Sequence, residues 1–168
     1  MLDLDEAAQQ AASSLLGTNR RVVFAESCTA GLVSASLAQV AGISAHHCGS
    51  AVTYRNDTKH CWLGVQQSTL DEHTAVSAPV AEQMALGALI RTPEASLSLS
   101  ITGHLGPQAP EGYDGLVFIG VAIRPEGGMT EAGGLEVQPA MRVKLDAPER
   151  SSRQQEAAAR VLLRLAEL

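Results

Sequence analysis

The sequence predicts an α/β fold: a three-layer sandwich in which a mixed, mostly parallel sheet is covered by helices on both faces. Three observations lead there. Apolar periodicity alternates between helix-like and strand-like segments along the chain. The stretch from Leu116 to Ile123 is an almost unbroken apolar run, the pattern of a strand buried on both faces. The length of 168 residues, with 45% hydrophobic and 18% charged residues, suits one globular domain spanning 1–168.

The elements follow in order. Leu4, Ala8, Ala11, Leu15 and Leu16 share one helical face, ended near Gly17 and Asn19. Residues 21–25 read as a short buried strand, and a helix of small residues runs over about 29–40 until Gly42 stops it. Residues 48–54 alternate like a second strand, and 56–63 form a short helix. Ser77 at an N-cap and Pro79 in the first turn open a strong helix that ends before Pro93. Residues 95–101 read as a strand with serines at alternate positions, ahead of the central strand 116–123. Gly127-Gly128 and Gly133-Gly134 bracket a flexible hairpin loop before a strand at 141–145, and a final helix from about Glu149 carries Ala157, Ala158, Val161, Leu162 and Leu165 on one stripe.

Bulk properties exclude several functions. No stretch approaches the roughly 20 apolar residues of a membrane helix, and the N-terminus lacks the basic and apolar regions of a secretory signal, so a cytoplasmic, non-membrane protein is expected. Cys28, Cys48 and Cys61 are odd in number and form no C-x-x-C pair, as suits free thiols in a reducing compartment. A formal charge of -6 and 3% aromatics remove the features that nucleic-acid binders use.

In alternating α/β folds ligands bind beyond the carboxyl ends of strands, so chemistry belongs in the loops that follow them. Four segments stand out. Glu26-Ser-Cys-Thr-Ala-Gly31 follows the first strand and runs into a helix, where hydroxyls and free N–H groups receive a phosphate or carboxylate, or serve as plain N-caps. Its Glu26 must be solvated, paired or functional. Ala41-Gly-Ile-Ser44 sets a hydroxyl in a turn before a strand. Thr53-Tyr-Arg-Asn-Asp-Thr-Lys59 gathers a phenol and an ammonium at a strand end, and Thr102-Gly-His-Leu-Gly-Pro107 is a Gly-rich loop that lets backbone approach a ligand.

Taken together, E-S-C-T-A-G, then G-x-S, V-T-Y-x-N-x-x-K with L-G-V behind it, A-V-S-x-P-V-A-x-x-M-A-x-G-A and T-G-x-x-G-P resemble the CinA C-terminal family, in which nicotinamide mononucleotide deamidases are found. The match runs from about residue 21 to residue 123. The resemblance implies an amidohydrolase that converts nicotinamide mononucleotide to nicotinate mononucleotide and ammonia, without a cofactor or metal, in a homo-oligomer. It places the catalytic serine on Ser44, with Tyr54 and Lys59 beside it. It places substrate binding on Glu26, Ser27, Cys28, Thr29, Ala30 and Gly31, on Thr102 and Gly103, and on Arg150, with Arg153 the alternative.

Chemically, a serine hydroxyl becomes a nucleophile when a neighbour takes its proton, and a lysine does this at neutral pH once burial depresses its pKa. On that basis Lys59 is the base for Ser44, Tyr54 links or orients the two, and N–H groups of one of the Gly-containing loops hold the oxyanion. The substrate phosphate falls to the helix N-terminus at 29–31, to Thr102 or to Arg150. Two departures from the family pattern, His104-Leu105 and the segment Gln108-Ala-Pro-Glu-Gly-Tyr-Asp-Gly115, keep open a catalytically silent nucleotide-binding homologue and an amidohydrolase for another small amide. His46, His47, Cys48, His60 and Cys61 are crowded, but adjacent strand residues face opposite ways and zinc-site spacing is lacking, so no metal site is expected.

Overall fold

The computed structural model describes residues 2–125 and 134–168. In chain order the elements are α1 (Leu4–Leu15), β1 (Val22–Glu26), α2 (Leu32–Ala38), a 3-10 turn (Ile43–Ala45), β2 (His47–Val52), α3 (Asn56–Leu63), α4 (Gln67–His73), α5 (Ala78–Arg91), β3 (Leu97–His104), β4 (Leu116–Ile123), β5 (Glu136–Lys144) and α6 (Arg150–Ala166). The five strands form one sheet in the order β2-β1-β3-β4-β5. It is mixed: β2-β1 and β1-β3 are parallel, β3-β4 and β4-β5 antiparallel. The sequence suggested a mostly parallel sheet, and the even split arises because β3 and β4 are joined by a loop with no crossover helix, which makes them antiparallel neighbours.

Two cores lie on the two faces. One holds Phe24, Leu97, Leu99, Ile101, Val117, Ile119 and Val121 against α1, α2 and α6. There the small residues Ala7, Ala8, Ala11 and Ala12 of α1 and Ala157, Ala158 and Ala159 of α6 allow close helix packing. Asp3 starts α1 by accepting from the Asp5 and Glu6 N–H groups at 2.9 and 3.0 Å. The other face packs Val23, Ala25 and Ala122 against α3, α4 and α5 through Leu63, Leu70, Val80, Met84 and Leu89. The alternate serines of β3 point this way: Ser100 Oγ donates to Ala81 O of α5 at 2.5 Å.

Several boundaries differ from the sequence reading. β3 runs on through Thr102, Gly103 and His104 because β4 pairs with it that far, His104 opposite Leu116. Thus the first half of the expected Gly-rich loop is strand. The 29–40 helix shortens to Leu32–Ala38, since residues 27–31 form a turn in which Ala30 and Gly31 have φ of 54° and 99°. α4 has no counterpart in the sequence reading: its face is mostly polar, and it is held by Leu70 and by Gln83 Nε2 donating to Thr69 Oγ1. The hairpin expected at Gly127-Gly128 and Gly133-Gly134 lies largely outside the described residues.

Gly87 marks the tightest helix contact on the second face. A Cβ there would collide with the backbone of Leu63 at the end of α3. Gly87→Ala is expected to destabilise by about 2–3 kcal/mol, the range of core overpacking, despite the better helix propensity of alanine. Thermal unfolding should show the melting temperature lowered by roughly 5–10 °C. An unchanged melting temperature would mean that α3 can withdraw from α5 without loss.

Candidate functional site

A cleft of about 240 Å³ opens beyond the carboxyl ends of β1 and β3, lined by residues that include Ser27, Cys28, Tyr54, Lys59, Thr102, Gly103, His104 and Arg150. Its base is the turn that leaves β1. Ser27 N–H donates to Ile101 O at 3.0 Å and Ala30 N–H to Ser27 O at 3.1 Å, which fixes the turn against β3 and against itself.

Glu26 explains why the turn holds this shape. Its side chain is 1% exposed and points inward. It accepts from Thr29 Oγ1 at 2.8 Å, from the N–H groups of Gly31, Val33 and Ser34 at 2.9, 3.1 and 3.0 Å, and from Ser50 Oγ at 3.0 Å. A buried carboxylate is stable when its lone pairs are met in this way, and here it also answers the positive end of α2. The expected phosphate site at residues 29–31 is therefore already filled by an internal anion. Thr29 is buried, and neither it, Ala30 nor Gly31 lines the cleft. Gln154 of α6 secures the turn from the other side, its Nε2 donating to Thr29 O at 3.0 Å.

Lys59 enters from α3, which begins directly after β2 with Arg55 N–H donating to Thr58 Oγ1 at 3.2 Å. Its side chain is 1% exposed, among the largest fully buried in the molecule. Nζ donates to Ser27 Oγ at 2.9 Å, to Thr53 O at 2.8 Å and to Tyr54 O at 3.5 Å. All three acceptors are neutral, and burial, only partly countered by the neighbouring Cys28 sulfur, pulls the Lys59 pKa down to about 8. Beside it, burial pushes the Cys28 thiol up to about 12, which removes it as a nucleophile near neutral pH. The oxygen with a base in contact is that of Ser27.

The structure does not bring Ser44 to this place. Ser44 lies in the 3-10 turn before β2 and shares a separate surface depression with Arg21, Ala45, His47, Cys48 and Glu94. There Val22, the first residue of β1, pairs with His47, the first of β2. Ser27 follows the last residue of β1, so the two hydroxyls sit at opposite ends of the sheet, separated by the length of a strand, on the order of 15–20 Å at about 3.3 Å per residue. The expected Ser44–Lys59 pair is replaced by Ser27–Lys59. A signal for Ser27 was present in the sequence: a serine in a sharp strand-to-helix turn is the arrangement that exposes a nucleophile above a sheet.

Of the remaining expected residues, Tyr54 is 54% exposed at the cleft mouth, and its hydroxyl receives Arg150 Nη2 at 3.0 Å rather than linking serine and lysine. Arg150 also donates through Nη1 to Gly106 O at 2.6 Å. Arg153, the alternative, is turned to structural work, donating to Asp114 Oδ1 at 2.8 Å, Ala147 O at 2.8 Å and Leu105 O at 3.3 Å. Thr102 Oγ1 donates to Ala75 O at 2.8 Å. Gly103 lies where a Cβ would strike Val117 and Leu116. Among the crowded histidines, His46 Nδ1 meets Arg20 O, His60 Nδ1 meets Val65 O, and His47 Nε2 meets Ser34 Oγ, so they serve separate local contacts.

Among the described residues no helix is long and apolar enough to cross a membrane. In overall shape the chain is similar to the competence damage-inducible protein A from Klebsiella pneumoniae, with a TM-score of 0.85, 27% identity and coverage of 98% of this chain and 96% of that one. It is also similar to a competence/damage inducible protein from Agrobacterium tumefaciens, with a TM-score of 0.81, 30% identity and coverage of 96% and 93%. By sequence it is 41% identical over 138 residues to a CinA-like protein of Mycolicibacterium vanbaalenii, covering 79% of this chain and 31% of that protein. A CinA-like protein of Mycolicibacterium gilvum is 49% identical over 98 residues, covering 58% and 22%. The chain therefore matches less than a third of the length of these curated relatives. The model of the CinA C-terminal domain matches residues 4–167, and with it the chain belongs to the CinA C-terminal domain family.

Proposed function

We propose that the chain is an amidohydrolase with Ser27 as nucleophile and Lys59 as general base, and that its substrate is nicotinamide mononucleotide. The observation that carries this reading is the 2.9 Å contact between Lys59 Nζ and Ser27 Oγ in a buried setting that lowers the lysine pKa to about 8. Family membership supplies the association with nicotinamide mononucleotide deamidation.

Neutral Lys59 takes the Ser27 proton as the oxygen attacks the carboxamide carbon. The tetrahedral oxyanion is held by N–H groups of the turn that leaves β1. Lys59 passes the proton to the departing nitrogen, ammonia leaves, and an ester to Ser27 remains. Water then attacks the ester, Lys59 takes its proton, and the returning proton frees Ser27 and nicotinate mononucleotide. Arg150, at the mouth, suits the substrate phosphate, a role the α2 N-terminus cannot fill while Glu26 occupies it.

Incubation of the purified protein with nicotinamide mononucleotide tests this directly. Ammonia and nicotinate mononucleotide are expected in equal amounts, in the presence of a chelator as in its absence. Tight binding with no ammonia would instead leave a nucleotide-binding module.

A further inference from the structure

His104 lines the cleft and has no task in this mechanism. It shares its face of β3 with Thr102, two residues earlier, and both line the cleft. It lies three residues beyond Ile101, whose carbonyl binds Ser27 N–H, so it stands roughly 10 Å further along the strand than the nucleophile turn. Ser27, His104 and Arg150 all line the one cleft, so a ligand held at Ser27 shares it with the imidazole. Its ring is braced by Tyr113, the centroids 6.0 Å apart and the planes at 89°, an edge-to-face pair. The segment that carries Tyr113 is itself tied down, since Arg153 bridges Asp114 and Leu105 O.

The chemistry of this wall is specific. The cleft already contains Lys59 and Arg150, so a further cation on the ligand needs an uncharged, polarisable surface away from both. Burial lowers the His104 pKa below its usual value, which favours the uncharged imidazole. A neutral aromatic ring attracts a flat cation through its π face.

Resting on the proposed reaction, we infer that His104, backed by Tyr113, is a specificity-determining residue that receives the positively charged pyridinium ring of a carboxamide substrate. Opposite ends of such a ligand are then sorted by charge: its phosphate goes to Arg150, its cationic ring to the His104 wall, and its carboxamide to Ser27.

The test compares two ligands that differ in ring charge, nicotinamide mononucleotide and its reduced dihydropyridine form, by calorimetric binding to Ser27→Ala protein. With His104 in place the cationic ligand should bind more tightly. His104→Leu should weaken it about tenfold and remove the preference, while His104→Phe should stay within about threefold of the parent. Tyr113→Leu, which leaves the cleft side chains in place, should give a smaller loss of the same kind. Equal affinities for the two ligands in the parent, or a His104→Leu protein that binds both as the parent does, would overturn the inference. If the ring preference holds but protein with Ser27 intact releases no ammonia, the wall stands and the hydrolase reading falls. If neither ligand binds, both fall.

Discussion

Ser27→Ala is expected to lower ammonia release by at least ~10³-fold while leaving affinity for nicotinamide mononucleotide within a few-fold of the parent. The missing oxygen is the atom that bonds to the substrate carbon, and no second nucleophile replaces it: Cys28 is held as a thiol, its pKa about 12. The fold should be unaffected, because the turn is built from Glu26 and backbone contacts rather than from the serine hydroxyl. Ser44→Ala provides the contrast. At the far end of the sheet, next to Arg21 and Glu94, it should leave turnover within about twofold, as surface substitutions away from a site commonly do. Steady-state kinetics and calorimetric binding on the two variants separate the serines; loss of turnover in Ser44→Ala with retention in Ser27→Ala would reverse the assignment.

Lys59→Met should abolish turnover and at the same time raise the melting temperature at pH 7. The folded state holds Lys59 at a pKa of about 8, below the usual lysine value of 10.5, so between these values the unfolded chain binds more protons at this site. Stability from this residue thus rises with pH across that window and is at its lowest below pH 8, where a buried cation has three neutral acceptors and no carboxylate. Methionine of similar length removes that penalty, on the order of 2 kcal/mol. The gain should shrink as the pH is raised toward 10. In the parent enzyme kcat/KM should fall tenfold per unit as pH drops below about 8, because only neutral Lys59 takes the serine proton. A melting temperature that falls in Lys59→Met, or a rate flat from pH 6 to 8, would show that the lysine is a structural donor.

Much of the architecture was legible in local pattern. The apolar run 116–123 became β4, buried along nearly its whole length, and Ser77 with Pro79 opened α5. What local pattern could not carry was set by partners distant in sequence: β3 lengthens to His104 because β4 continues beside it, and polar α4 is held by α5. The site shows the same division. Lys59, Tyr54, Thr102 and Arg150, which the resemblance names, line one cleft. The resemblance puts the catalytic serine on Ser44 and gives Ser27 to substrate binding. A strand separates residues that precede it from those that follow it, so Ser44 and Lys59 lie beyond opposite ends of β2. Parallel β1 instead delivers Ser27, more distant in sequence, to the end where Lys59 enters. Glu26 shows a limit of another kind: its motif marks a carboxylate at a helix N-terminus, but only coordinates distinguish a ligand-facing group from one folded inward.

The covalent step is the most exposed part of this mechanism. Rapid acid quench of the enzyme during turnover, followed by digestion and mass spectrometry, should find the nicotinate mononucleotide acyl group on the peptide containing Ser27, and none in Lys59→Met protein. An acyl group on the peptide containing Ser44, or full turnover with no acylated peptide at any quench time, would contradict it.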